Sequence, residues 1–354
     1  MWIPFSIEKL PYIELPVSIN GIASAAIIDS GARRTILDSA FALRLGLRAR
    51  PGFKGVGLTG QIFGAYADGL QIQLGDQTLA NISAAVLDLS GIAAILGHPV
   101  ELLIGHELFE ANLVEIDFPA SRLRLWPAGA EIDMGVTPFP LGKASDRLRT
   151  LPLQLLGQVE TSAAIDLGSE IPLYLDPALV ENTRLLERRP SSTSATIGAE
   201  GIELSRIAVL PSIELGGVRF TDVPVQVPTR WKFASPAVAG LPILNRFHMA
   251  LDFESSQAWL RALPDMLEKP FPKDRSGIGA APANDRLLVI HVAPGSPAAK
   301  AGLAAGDEIV LVNDQEIEDY LRSRKRVGHQ PTGTIVNLRL SNGIAISLEL
   351  EDYF

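Results

Sequence analysis

The chain has 354 residues, 47 % hydrophobic and 20 % charged, enough apolar material for two or three packed domains and too much for a disordered chain. A net charge of −9 argues against a nucleic-acid binder, which needs a basic face. Cysteine is absent, which excludes thiol catalysis, zinc–thiolate sites and disulfides, and no apolar run reaches the ~18 residues that span a bilayer. Glycine (31) and proline (25) are plentiful, which favours turn-rich strands over a helical bundle. The N-terminus carries neither a basic stretch nor an apolar one, so no signal peptide is visible.

Tyr12–Ile19 alternates apolar and polar, the period of a half-buried strand. Asn20-Gly21 then predicts a tight hairpin, because both residues tolerate φ > 0. The return strand, Ala25-Ala26-Ile27-Ile28, runs straight into Asp29-Ser30-Gly31-Ala32. Leu37, Phe41 and Leu45 stand at helical spacing, predicting a short helix over 35–45 that Gly46 closes. Gly55, Gly57 and Gly60 form a G-x-G-x-x-G pattern, but glycine-broken strand follows it instead of an amphipathic helix. A glycine-rich hairpin that bends over a site fits these residues better than a phosphate cradle. Hairpin and strand patterns follow to Leu87, then short helices at 90–97 and 107–111, then two strands, 113–118 and 122–126.

The plan then repeats. Ala164-Ile165-Asp166-Leu167-Gly168-Ser169 lies 137 residues after the first acid turn. Residues 194–205, with Gly198 and Gly201, stand where the first glycine-rich hairpin stood. Asp29 precedes the apolar-apolar-Gly step at Gly105 by 76 residues, and Asp166 precedes its counterpart at Gly240 by 74. Two lobes related by a pseudo-twofold axis are expected. After a linker at 269–274, a third unit holds a strand at 286–292, a short capped helix over 294–303, a turn and strand at 306–314 and a helix at 318–326. His98, Glu101, His106 and Glu107 do not have the H-E-x-x-H spacing and read as surface polar residues.

On these residues the two halves, about 5–262, resemble retropepsin-like aspartic proteases. The motifs that carry the likeness are Ile27-Ile28-Asp29-Ser30-Gly31-Ala32 with Leu103-Ile104-Gly105, and Ala164-Ile165-Asp166-Leu167-Gly168-Ser169 with Val238-Ala239-Gly240. The resemblance implies a catalytic pair, Asp29 and Asp166, supported by Ser30, Gly31, Gly168 and Ser169. The hairpins at Gly55, Gly57, Gly60 and Gly198 would cover the substrate. Two carboxylates about 3 Å apart cannot both ionise, so they share a proton, as activation of a water requires. The family places Thr or Ser after each acid, where its hydroxyl bonds across to the other lobe; Ser30 can do this and Leu167 cannot.

The third unit resembles a bacterial-type PDZ domain, on Pro294-Gly295-Ser296-Pro297-Ala298, Ala301-Gly302-Leu303 and Gly306-Asp307-Glu308-Ile309 with Asn313. That resemblance implies peptide capture by strand addition, with a terminal carboxylate on the loop at Gly277, Ile278, Gly279 and Ala280. The expected architecture is therefore mainly β: an N-terminal protease lobe (1–130), a C-terminal protease lobe (131–265) and an α+β PDZ-like domain (266–354). The expected function is aspartic endopeptidase action on protein or peptide substrates, with a C-terminal peptide as the PDZ ligand and no cofactor or metal. A non-catalytic peptide-binding protein with a degenerate cleft is the alternative, motivated by Leu167. Proteins of this layout are often exported, and the start at Trp2 resembles residues left after leader removal; otherwise the start is a cytoplasmic one.

Overall fold

A computed structural model describes residues 1–7, 12–56, 61–198, 201–323 and 325–354. Glu14–Ile19 and Ile22–Ile28 form an antiparallel hairpin around Asn20 and Gly21, both with positive φ (51° and 83°). The second strand is exposed at its outer end and buried over its last three residues, so it drives its C-terminal end into the core. It continues a seven-stranded sheet in the order Glu14–Ile19, Ile22–Ile28, Leu102–Ile104, Ile36–Asp38, Gln77–Leu87, Gln61–Leu74 and Arg50–Val56. Glu14–Ile19 also pairs with Gln61–Leu74, which curls the sheet back on itself.

A second sheet, of eight strands, repeats the plan. Val159–Asp166 pairs in parallel with Ala237–Gly240, as Ile22–Ile28 does with Leu102–Ile104. Ile165 faces Ala239 here, and Ile27 faces Leu103 there. Ser191–Gly198 and Gly201–Leu215 make the second hairpin, with Gly198 opposite Gly201 at its end.

A six-stranded sheet joins the halves, with Asn112–Asp117 antiparallel to Phe247–Asp252. Its polar face holds Glu115, which accepts hydrogen bonds from Arg124, Trp126 and His248. Burial acts to raise its pKa, and those three donors outweigh it and hold the carboxyl at about 2. One apolar core runs through both lobes and this joining sheet; Phe41, Phe109, Phe247 and Phe253 are its largest fully buried side chains.

Two local expectations change. The stretch 35–45 opens as strand Ile36–Asp38, and only Ser39–Arg44 is helical. Ile36 and Leu37 find strand partners on both sides, and that pairing overrides the helical spacing. Asp38 then caps the helix by accepting from Phe41 N at 2.9 Å. The linker at 269–274 is not loose: Phe271 is buried against the main core, and the Arg246 guanidinium lies 3.6 Å from its ring centroid.

The C-terminal unit has its own core, including Val289, Ile309, Val336, Leu338 and Leu348. Its sheet runs Ile278–Ala283, Arg286–Val292, Glu308–Val312, Ile335–Leu340 and Ala345–Glu349, with Gln315–Glu316 paired to Glu308–Val312. It packs on both lobes. A Cβ at Gly97 would stand 3.3 Å from Leu321 O. Thr193 Oγ1 and His291 Nε2 share a hydrogen bond of 3.0 Å, and Ser192 Oγ donates to Pro294 O at 2.9 Å. Arg326 Nη2 donates to Glu170 Oε2 at 2.5 Å.

Candidate active site

Both acids emerge where a core strand ends. Asp29 N donates to Ile104 O at 2.9 Å, and Asp166 is the last residue of its strand, opposite Gly240. Each backbone then turns sharply, and a glycine two residues on lies against the other lobe's acid. A Cβ on Gly31 would stand 2.5 Å from Asp166 Cγ, and one on Gly168 would stand 2.5 Å from Asp29 Cγ. The reciprocity is what a pseudo-twofold axis through the pair requires, and only a residue without a Cβ leaves room for it.

Each carboxylate thus lies against the other lobe's turn, close enough for the two acids to act on each other. Asp29 Oδ1 accepts from Gly31 N and Ala32 N, both at 2.9 Å; Asp166 Oδ1 accepts from Gly168 N at 2.9 Å. Burial raises both pKa values. For Asp29 the two amides pull it back. For Asp166 the neighbouring Asp29 charge adds to burial, and its pKa lies well above the ordinary range. Two raised carboxyls this close cannot both ionise readily, so the pair titrates as one unit.

Ser30 is fully buried and ties the lobes together. Its Oγ donates to Ile165 O and accepts from Leu167 N, both at 2.9 Å. Leu167 makes no return bond through its side chain; it is fully buried in the main core. The Ser169 hydroxyl turns into its own loop, on the backbone of Ile171.

His106 and Glu107 are not surface residues. His106 is buried, and its Nε2 lies 3.0 Å from Ser30 O; that carbonyl can only accept, so Nε2 carries the proton. Burial lowers the His106 pKa, which keeps the ring neutral. Glu107 Oε2 accepts from Thr35 N at 2.8 Å and Thr35 Oγ1 at 3.0 Å, while Gly105 N donates to Thr35 Oγ1 at 3.3 Å. Glu101 accepts from Ser24 and Arg44. Among the described residues, no three His, Asp or Glu side chains gather into a metal-binding group.

The predicted covering residues divide. Gly55 lies in strand Arg50–Val56, and Gly198 ends strand Ser191–Gly198. Gly57 and Gly60 lie outside the described residues. Phe63 on the first hairpin and Ile202 and Leu204 on the second are exposed apolar side chains, which the glycine pattern did not single out. Gly277, Ile278, Gly279 and Ala280 stand at the start of the edge strand of the C-terminal unit.

A mainly β fold of two pseudo-symmetric lobes, with an acid turn from each meeting in the cleft between them, defines a retropepsin-like aspartic-protease architecture. Residues 15–108 match the family described as aspartyl protease, and residues 276–344 match that described as PDZ domain. The chain thus carries an aspartyl protease domain and a C-terminal PDZ domain. A 65-residue stretch is 42 % identical to the periplasmic serine endoprotease DegP of Salmonella typhimurium; it covers 18 % of this chain and 14 % of that protein's length. A solved retropepsin-like aspartic protease from Rickettsia conorii is 19 % identical, with 35 % of this chain and 88 % of that one covered and a TM-score of 0.28. No helix among the described residues is long and apolar enough to cross a membrane.

Proposed function

We propose that the protein is an aspartic endopeptidase whose Asp29–Asp166 pair hydrolyses peptide bonds in extended polypeptide segments. The observation that carries the reading is the reciprocal seating of each carboxylate against the other lobe's glycine. Asp29, ionised, takes a proton from a water held between the acids, and the water oxygen attacks the scissile carbonyl carbon. Asp166, protonated, gives its proton to the carbonyl oxygen, so a neutral gem-diol forms without a free oxyanion. In the second half, Asp29 passes its proton to the amide nitrogen. The C–N bond then breaks, and a gem-diol hydroxyl returns a proton to Asp166. The pair ends as it began.

The hairpins that carry Gly55 and Gly198 cover the substrate in this reading. The PDZ domain positions substrate beside the cleft. A degenerate, purely binding cleft would leave the acids apart, and the seating of each acid against the other lobe's glycine speaks against it. The test is cleavage of unfolded casein across pH, with and without a pepstatin-type inhibitor. Asp29→Asn and Asp166→Asn should each lose about 10³-fold or more in rate, since either change removes a proton-transfer partner. Cleavage retained in Asp166→Asn would overturn the paired mechanism.

A further inference from the structure

In the protease reading, two segments of the second lobe border the substrate: the loop that follows Asp166 and the hairpin strand Ser191–Gly198. Both are held from outside the lobe, by the C-terminal domain. In the loop, the Ser169 hydroxyl is engaged on the backbone of Ile171, and Glu170 reaches outward. Its Oε2 accepts from Arg326 Nη2 at 2.5 Å. Glu170 stands four residues after Asp166, and both charges are felt at the same two hydroxyls. Burial raises the pKa of Tyr12 and Tyr174, and Glu170 and Asp166 raise both further; Arg326 acts the other way on Tyr12. A cation of the C-terminal domain therefore stands at the edge of the acid pair's surroundings.

Ser191–Gly198 is the edge strand of its sheet, so one side of it has no strand partner. The C-terminal domain holds it at three points instead. Ser192 Oγ donates to Pro294 O at 2.9 Å, and Thr193 Oγ1 shares a 3.0 Å hydrogen bond with His291 Nε2. Gly279, which pairs with His291, lies against Ala195: a Cβ on it would stand 3.2 Å from Ala195 Cβ. The first lobe differs. Among the described residues, no hydrogen bond joins Arg50–Val56 or Gln61–Leu74 to the C-terminal domain; Arg50 pairs within its own hairpin, with Asp68.

We propose that Arg326 and His291 are positioning residues for the second lobe's half of the catalytic cleft, Arg326 through the loop after Asp166 and His291 through the covering strand. The inference rests on the Asp29–Asp166 reading. An ion pair whose side chains are 41 % and 32 % exposed adds little to stability, and so does one side-chain hydrogen bond. Placement is another matter, because a reacting group displaced by about 1 Å can lose about 10²-fold in rate. The two contacts act on different quantities. Arg326 fixes the turn that carries a proton-transfer group, so its loss falls on kcat. His291 fixes a wall that touches substrate but no reacting atom, so its loss falls on KM.

The experiment uses the full chain, with unfolded casein as substrate and amide exchange by mass spectrometry as the second readout. Arg326→Ala should lower kcat about tenfold with KM moved by less than about twofold, and Arg326→Lys, which keeps the cation, should recover most of the loss. His291→Ala should raise KM about fivefold with kcat nearly unchanged. Exchange should quicken at 167–171 in Arg326→Ala and at 192–196 in His291→Ala, while Arg50–Val56 stays as it was in both. Parallel losses in both constants for both variants, with no segment-specific exchange, would mean general destabilisation and overturn the positioning roles. Constants equal to those of the unmodified chain would overturn them too, and leave the protease reading standing. No cleavage by the unmodified chain would overturn the protease reading and the positioning roles with it.

Discussion

The two acid turns share a backbone path but are held in different ways. In the first, Ser30 sends its hydroxyl across the cleft and makes two hydrogen bonds to the opposite strand end, each worth about 1 kcal/mol. In the second, Leu167 sends its side chain down into the core, where full burial of a leucine is worth about 2 kcal/mol. The magnitudes are similar, so packing of Leu167 offsets the cross-lobe tie that its turn lacks. The tie is one-sided but not absent, because Ser30 alone engages both Ile165 and Leu167. A lobe can lose its hydroxyl and still seat its acid, provided the other lobe keeps its own. Support beneath the turns differs as well. His106 braces the Ser30 carbonyl in the first lobe, while the residue after the corresponding glycine in the second is Leu241.

The largest effect expected from this comparison belongs to the glycines, where the lobes are alike. Gly168→Ala places a methyl 2.5 Å from Asp29 Cγ, so the acids must separate. Casein cleavage should fall by about 10³-fold with the chain still folded, a loss expected when reacting groups are misplaced by an ångström or more. Ser30→Ala comes next. It leaves Leu167 N and Ile165 O without partners inside a buried interface, which should cost about 2 kcal/mol by denaturant titration and about 10- to 100-fold in kcat. Retention of full kcat would show that the cross-lobe tie is dispensable.

Leu167→Thr sharpens the comparison from the other side. It supplies the hydroxyl the second lobe lacks, but a buried leucine site is left underfilled and a polar group is added. Stability should drop by about 2 kcal/mol with no gain in kcat. A stabilised, faster variant would mean that the second lobe has been waiting for its hydroxyl. His106→Leu gives the first lobe the second lobe's residue and removes the donor to Ser30 O. About 1 kcal/mol of stability should be lost, with a smaller effect on kcat than Ser30→Ala.

Much of this was legible in the residues. Two apolar runs ending in Asp-x-Gly, each followed about 75 residues later by an apolar-Gly step, carry the lobe plan and the pairing of strands around each acid. Three things were not. The joining sheet interleaves strands from distant parts of both halves, and alternation within a strand does not name its neighbour. His106 and Glu107 looked like charge on a short helix; their role appears only once Ser30 and Thr35 are folded against them. The Ser276–Ala280 loop carries a PDZ pattern, yet the acid that accepts from its Ser276 and Gly277 amides, Asp274, lay in what read as a linker. The one unused signal was Thr35, a hydroxyl directly before an apolar strand, fully buried in the fold.

The central claim is that Asp29 and Asp166 share one proton and titrate as one unit. Carbon-13 NMR titration of the side-chain carboxyls, in the unmodified chain and in Asp29→Asn, tests it without knowledge of the substrate. Two separated steps are expected in the unmodified chain, the upper one above the ordinary carboxyl range. In Asp29→Asn the upper step should move down, because the neighbouring charge is gone while burial remains. Two independent steps near the ordinary aspartate value of about 4, unchanged by the substitution, would contradict the account.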